Sequence, residues 1–178
     1  MVIHRRNVQV LISEGEILRR VQEMARHLEG DYKGKELIVV GLLKGACPFL
    51  ADLARAVDLD IRMDFMKVSS YGSGRESSGN VKIALDIDSD IDGKHVLVVE
   101  DIVDTGQTLA VVIKHLQASN PASVRVCSLL DKPSRRKVDV SADYVGFTIE
   151  DYFVVGYGMD LDGLYRNLPY VGVYGDRG

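Results

Sequence analysis

Two unbroken apolar runs, Leu37-Ile38-Val39-Val40 and Val96-Leu97-Val98-Val99, constrain the fold more than any other feature of the 178 residues. Such runs are too short for buried helices and show no alternation, so they read as strands covered on both faces. Each leads into a stretch with helical spacing: Phe49, Leu50, Leu53 and Val57 after the first, Leu109, Val112, Ile113 and Leu116 after the second. Pro48 suits the first turn of the former helix, and Asn120-Pro121 closes the latter. A third strand follows at Val124–Leu130. Strand, helix, strand in succession implies βαβ units and a mainly parallel sheet flanked by helices, an α/β fold.

The remaining segments extend this plan. Ser13-Glu14-Gly15-Glu16 has the form of a capping box, and Ile17, Val21, Met24 and Leu28 follow at helical spacing until Gly30. Leu59–Val68 and Val81–Ile87 alternate apolar with polar residues, which predicts two half-exposed strands. Residues 69–80, rich in glycine and serine, form a long connection of the kind that serves as a flexible lid or binding loop. Short strands are expected near Tyr144–Ile149, Phe153–Val155 and Val171–Tyr174. With no repeat, low-complexity tract or linker, residues 1–178 read as a single domain.

Composition excludes several function classes. A net charge of -4 argues against a broad nucleic-acid or anionic-membrane footprint, although Lys132, Arg135, Arg136 and Lys137 could hold one phosphorylated ligand. Cys47 and Cys127 lie far apart in apolar runs and read as buried small hydrophobes in a reducing compartment. No apolar stretch reaches the ~18 residues of a membrane span, no secretory leader is visible at the start, and the chain reads as cytoplasmic.

The chemistry concentrates in Glu100-Asp101-Ile102-Val103-Asp104-Thr105-Gly106-Gln107-Thr108, directly after the second apolar run. Ligands of parallel α/β sheets gather at the carboxyl ends of strands. The first amides of the following helix are unsatisfied donors at its positive end, Gly106 admits close backbone approach, and Thr105 and Thr108 add hydroxyls, which together make a phosphate cradle. Glu100 and Asp101 are hard oxygen acceptors for ribose hydroxyls or water-bridged magnesium. The pattern suits a sugar phosphate. It does not suit a nucleoside triphosphate site of the GxxxxGK[ST] type, since that loop is missing.

Val98–Thr108 resembles the 5-phosphoribosyl diphosphate signature of the type I phosphoribosyltransferases, and its spelling resembles the hypoxanthine-guanine phosphoribosyltransferase branch. Leu43-Lys44-Gly45, Ser70-Tyr71, Asp131-Lys132-Pro133-Ser134-Arg135-Arg136 and Phe153–Asp160 follow in that family's order, so the resemblance spans nearly the whole chain. It implies the family's fold, with a small hood from the terminal segments, and a purine-salvage activity. In that activity the phosphoribosyl group of 5-phosphoribosyl 1-diphosphate passes to hypoxanthine or guanine, giving IMP or GMP and pyrophosphate.

The resemblance also implies roles. Glu100 and Asp101 would hold the ribose hydroxyls and place Mg2+, with Asp160 as a further metal ligand. Asp104 would be the catalytic acid or base near purine N7, and Ile102 and Thr105, Gly106, Gln107 and Thr108 would line the phosphoribosyl site. Leu43, Lys44 and Gly45 would form the pyrophosphate loop, which in the family presents its amides through a non-proline cis peptide, and Arg166 would reach the same group. Lys132 would donate to the 6-oxygen, Phe153 would stack on the base, and main-chain groups of Val154 and Asp160 would read its edge. Ser70 and Tyr71 would begin the closing lid. Arg135 and Arg136 read as a solvated basic turn. Gln107 departs from the family, where lysine is common.

Asp88–Gly93 begins like a calcium loop, but Val99 stands at its twelfth position, which should be glutamate, so calcium binding is not expected. Competing readings are a xanthine-preferring enzyme and a catalytically silent RNA-binding regulator. Asp104 and Lys132 favour an enzyme, expected as a homodimer or homotetramer that binds neither nucleic acid nor membrane.

Overall fold

The computed structural model describes residues 7–70 and 81–175. Its main sheet has six strands in the order β4-β3-β2-β5-β6-β7: β2 (Leu37–Leu42), β3 (Ile61–Ser70), β4 (Val81–Leu85), β5 (His95–Val103), β6 (Ser123–Asp131) and β7 (Tyr144–Thr148). All are parallel except β4, which pairs antiparallel with β3 at one edge. The two central runs send alternate residues into two cores. Val39, Leu97 and Val99 meet Ile17, Phe49 and Leu53 of helices α1 (Glu14–Tyr32) and α2 (Cys47–Ala56). Ile38, Val40, Val96 and Val98 meet Leu109, Val112 and Leu116 of α3 (Gln107–Gln117) on the opposite face. Each fully buried side chain of this size contributes about 1.5–3 kcal/mol, so the two-faced apolar strands fix the three-layer arrangement.

Local signals set the element ends. Ser13 caps α1 as a complete capping box, with its amide donating to Glu16 Oε2 at 2.8 Å. The helix continues through Gly30, where the sequence pattern had it stop, because Tyr32 extends the apolar face and is buried edge-on to His95. Strand β3 runs to Ser70, and Ser69 and Ser70 pair with Lys82 and Val81, so the expected connection 69–80 loses its first two residues to the sheet. Tyr71 and the rest of that segment lie outside the described residues. Both cysteines are free thiols. Cys127 is buried as expected, whereas Cys47 is only half-buried at the start of α2. No helix among the described residues is long and apolar enough to cross a membrane.

A second, three-stranded antiparallel sheet, β1-β9-β8, joins the two ends of the chain through β1 (Val8–Ile12), β8 (Val154–Val155) and β9 (Val171–Tyr174). This is the hood. Tyr157, in the segment after β8, donates its hydroxyl to Asp52 of α2 at 2.5 Å, and burial together with that bond pushes its phenol well above the ordinary range.

Asp64 staples the edge hairpin. Its carboxylate accepts the amides of Phe65, Asp88 and Ser89 at 2.7, 3.1 and 2.9 Å. Burial alone would raise its proton affinity, but the Ser89 side chain and these amides outweigh it and hold Asp64 below the ordinary carboxylate range. A depressed carboxylate stabilises the fold above its unfolded pKa, near 3.9, and that contribution disappears as pH falls through the lower folded value. Asp64→Ala is therefore expected to cost about 1 kcal/mol at neutral pH, at the low end for a lost acceptor because water reaches the site. Thermal melts from pH 7 to 3 should show the difference from wild type shrinking below about pH 4. A constant difference across that range would refute the assignment.

Candidate active site

Strand β5 continues past its apolar run, and Glu100 pairs with Ser128, Ile102 with Leu130 and Val103 with Asp131 of β6. The carboxylates are thus held at the end of the sheet, where the Glu100 and Asp101 side chains bond to each other. Glu100 Oε2 is buried without a hydrogen-bond partner. Burial first, and the adjacent Asp101 second, push Glu100 well above its ordinary pKa. Burial also raises Asp101, against its bonds to Glu100 and to the Ile102 amide, the latter at 2.9 Å.

Beyond β5 the chain turns at Gly106, whose φ of +80° is the left-handed conformation that glycine adopts without strain. Val138 and Arg136 pack so closely there that a Cβ would sit 3.0 and 3.1 Å from their side chains. Gly106, the N-cap of α3, offers no side chain to cap it, and the Gln107 amide donates to Thr105 Oγ1 at 3.4 Å. The helix therefore presents donors at its positive end. A cavity of about 100 Å3 lies there, lined by Glu100, Ile102, Asp104, Thr105, Gly106 and Thr108. The acidic strand and the threonine turn face one space. A larger cleft, about 240 Å3, lies at the amino ends of β2 and β3, where Glu36 and Asp60 offset Arg62 and Lys94. It has neither the strand ends nor the helix donors that ligands of such sheets use.

The β2–α2 loop meets the acidic strand end at Asp101. The Leu43–Lys44 peptide is cis, Lys44 is exposed, and Gly45 is buried directly against Asp101. A Cβ on Gly45 would lie 2.5 Å from Asp101 Cγ and overlap the carboxylate. Gly158 of the hood packs on Gly45 in turn, and a Cβ there would overlap the Gly45 carbonyl. Arg166 donates to Gly158 O at 2.5 Å and pairs with Asp160 at 2.5 Å, while Asp160 also accepts the Gly163 amide at 2.7 Å. Close backbone packing thus brings three loops together. The role of Gly158 was not read from the sequence, although two glycines flanking Tyr157 are a signal for it.

Among the described residues no three His, Cys, Asp or Glu side chains gather as a metal cluster, and Asp160 pairs with Arg166. The pair Glu100 and Asp101, with one orphaned buried oxygen, fits an ion that takes one or two protein carboxylates and completes its shell with substrate oxygens and water, as Mg2+ does.

On the hood side, Lys132 is buried, donating to Tyr152 O and lying 3.7 Å from Asp151 Oδ1. Phe153 follows, half-exposed, with its ring edge-on to Tyr174 at 6.4 Å, and Val154 is buried in β8 against Val173. Arg136 corrects the reading of a solvated basic turn. It is mostly buried, donating to the carbonyls of Val103 and Asp104 and to Asp131, and so clamps the ends of β5 and β6 together. Arg135 is exposed but paired with Asp104 and Asp151. Ser70 closes β3; its predicted partner in the lid, Tyr71, lies outside the described residues.

An open α/β sheet with acidic strand ends beside a helix start is an arrangement suited to a sugar phosphate. The chain belongs to the phosphoribosyl transferase domain family, which it matches over residues 11–162. It is 51% identical to the hypoxanthine phosphoribosyltransferase of Salmonella typhimurium over 170 residues, 94% of this chain and 96% of that one. The crystal structure of a hypoxanthine phosphoribosyltransferase from Staphylococcus aureus superposes with a TM-score of 0.92 at 46% identity, covering 95% of this chain and 92% of that one. The Bifunctional protein TilS/HprT of Listeria monocytogenes is 48% identical over 171 residues, which are 96% of this chain but only 26% of that protein. The chain therefore spans about a quarter of the length of that longer relative.

Proposed function

We propose that the chain is a purine-salvage phosphoribosyltransferase, transferring the phosphoribosyl group of 5-phosphoribosyl 1-diphosphate to hypoxanthine or guanine to give IMP or GMP and pyrophosphate. The observation that carries this reading is the single cavity shared by Glu100, Asp104, Thr105, Gly106 and Thr108.

In this reading the amides and hydroxyls of residues 105–108 hold the 5-phosphate at the helix start, and Glu100 and Asp101 accept the ribose hydroxyls. The bond from the anomeric carbon to pyrophosphate breaks as the bond to the purine nitrogen forms, through an oxocarbenium-like state. Leu43, Lys44, Gly45 and Arg166 hold the departing pyrophosphate. Mg2+, held by Glu100 and Asp101 with Asp160 as a second contact point, supplies charge neutralisation of that group when bound. Asp104 takes the purine proton near N7. Lys132, a donor only, favours a 6-oxo base over the 6-amino group of adenine, Phe153 offers a ring face for stacking, and Val154 and Asp160 read the base edge. Ser70 and Tyr71 begin a lid that keeps water from the cationic centre. The same reading includes a cytoplasmic setting and a homodimer or homotetramer, for which the exposed Val10 and Leu164 of the hood offer apolar contact surface.

The test incubates the chain with Mg2+ and 5-phosphoribosyl 1-diphosphate and each of hypoxanthine, guanine, xanthine and adenine, following nucleotide and pyrophosphate. Hypoxanthine and guanine should react and adenine should not. Turnover of adenine, or tight diphosphate binding with no pyrophosphate released, would overturn the reading.

A further inference from the structure

The exposed turn after β6 carries an arginine, Arg135, that the proposed chemistry does not use. Arg135 Nε donates to Asp104 Oδ1 at 3.1 Å, its Nη1 donates to Asp151 Oδ2 at 3.3 Å, and the other oxygen of Asp151 lies 3.7 Å from Lys132 Nζ. One guanidinium thus ties together the carboxylate at the cavity and, through Asp151, the buried lysine on the hood side. We infer that Arg135 is a positioning residue: its planar fork fixes the orientation of Asp104 and its separation from Lys132. This inference rests on the proposed reaction.

Three features support it. Asp104 projects from the turn after β5, while Lys132 and Asp151 lie beyond the end of β6 and before β8, so no single element sets their spacing. Arg135 is the described residue that bonds to both carboxylates. It leaves Asp104 Oδ2 with no partner among the described residues, so one oxygen is anchored and the other is open to a proton. The pairs are also half-exposed, with side chains 47%, 40% and 51% accessible for Arg135, Asp104 and Asp151. Exposed ion pairs contribute little to folding, so the arrangement is better explained by geometry at the cavity than by stability. A guanidinium suits this task, because it can hold two carboxylates in fixed directions where an ammonium would hold either loosely.

The experiment compares wild type, Arg135→Gln and Arg135→Lys, each alone and with Asp104→Asn, measuring kcat, KM for 5-phosphoribosyl 1-diphosphate and melting temperature. Arg135→Gln is expected to lower kcat by about 10-fold, within the roughly 10²-fold that a displacement of ~1 Å can cost. The diphosphate KM and the melting temperature should stay unchanged, and Arg135→Lys should recover only part of the loss. In the Asp104→Asn background Arg135→Gln should have little further effect, since the Asp104 carboxylate is no longer there to be oriented. Unchanged kcat in Arg135→Gln, an equal loss in the Asp104→Asn background, or a loss that follows a fall in melting temperature would each overturn the inference. If wild type itself forms no nucleotide, the proposed function fails instead, and the two failures are thereby told apart.

Discussion

Asp104→Asn is expected to lower nucleotide formation from hypoxanthine by roughly 10²–10⁴-fold, the usual span for losing a general acid or base. The amide keeps the size of the carboxylate but cannot accept the purine proton. The side chain is 40% accessible and its recorded partner is Arg135, so the fold should survive with its melting temperature nearly unchanged. The phosphate cradle and the carboxylates of β5 are untouched, so binding of 5-phosphoribosyl 1-diphosphate should persist while kcat falls. Steady-state kinetics at saturating diphosphate, paired with calorimetric binding of the diphosphate in Mg2+, separates the two. A kcat within threefold of wild type would remove Asp104 from the chemistry.

Gly45→Ala should produce the second large effect, a fall in kcat/KM for the diphosphate of about 10²-fold. The added methyl would occupy the space of the Asp101 carboxylate. That carboxylate cannot simply swing aside, because it is buried and held by the Ile102 amide, and the loop cannot retreat without pressing Gly45 O into Gly158. Either the acidic strand end or the β2–α2 loop must move. Gly15→Ala is the matched control. A Cβ there meets nothing within 4 Å, and replacing glycine in helix α1 should stabilise by up to about 1 kcal/mol. If Gly45→Ala were as benign as Gly15→Ala, the contact between the two loops would have no bearing on substrate.

The sequence made the sheet and its two helical layers legible because Leu37–Val40 and Val96–Val99 are apolar at every position, a pattern that demands cover on both faces. The cavity was legible for a related reason: carboxylates, a glycine and threonines directly after a buried strand have few other uses. Less visible were features that depend on side chains meeting from distant segments. Arg135 and Arg136 look alike in sequence, yet one is buried against the ends of two strands and the other is paired at the surface. The carbonyls that hold Arg136 leave no trace in residue type. Tyr32 extended α1 beyond Gly30 because a buried aromatic contact outweighs the helix penalty of a single glycine, about 1 kcal/mol. Gly158 is fixed both by its own left-handed φ of +100° and by the backbone of Gly45, over a hundred positions earlier, which no local pattern can encode.

The hood has a consequence for biosynthesis. Its middle strand, β9, follows every other described element in the sequence, and without it neither β1 nor β8 has a neighbour in that sheet. A chain emerging from the ribosome can complete the six-stranded layer and the turn into α3 while the aromatic wall beside Phe153 is still unsupported.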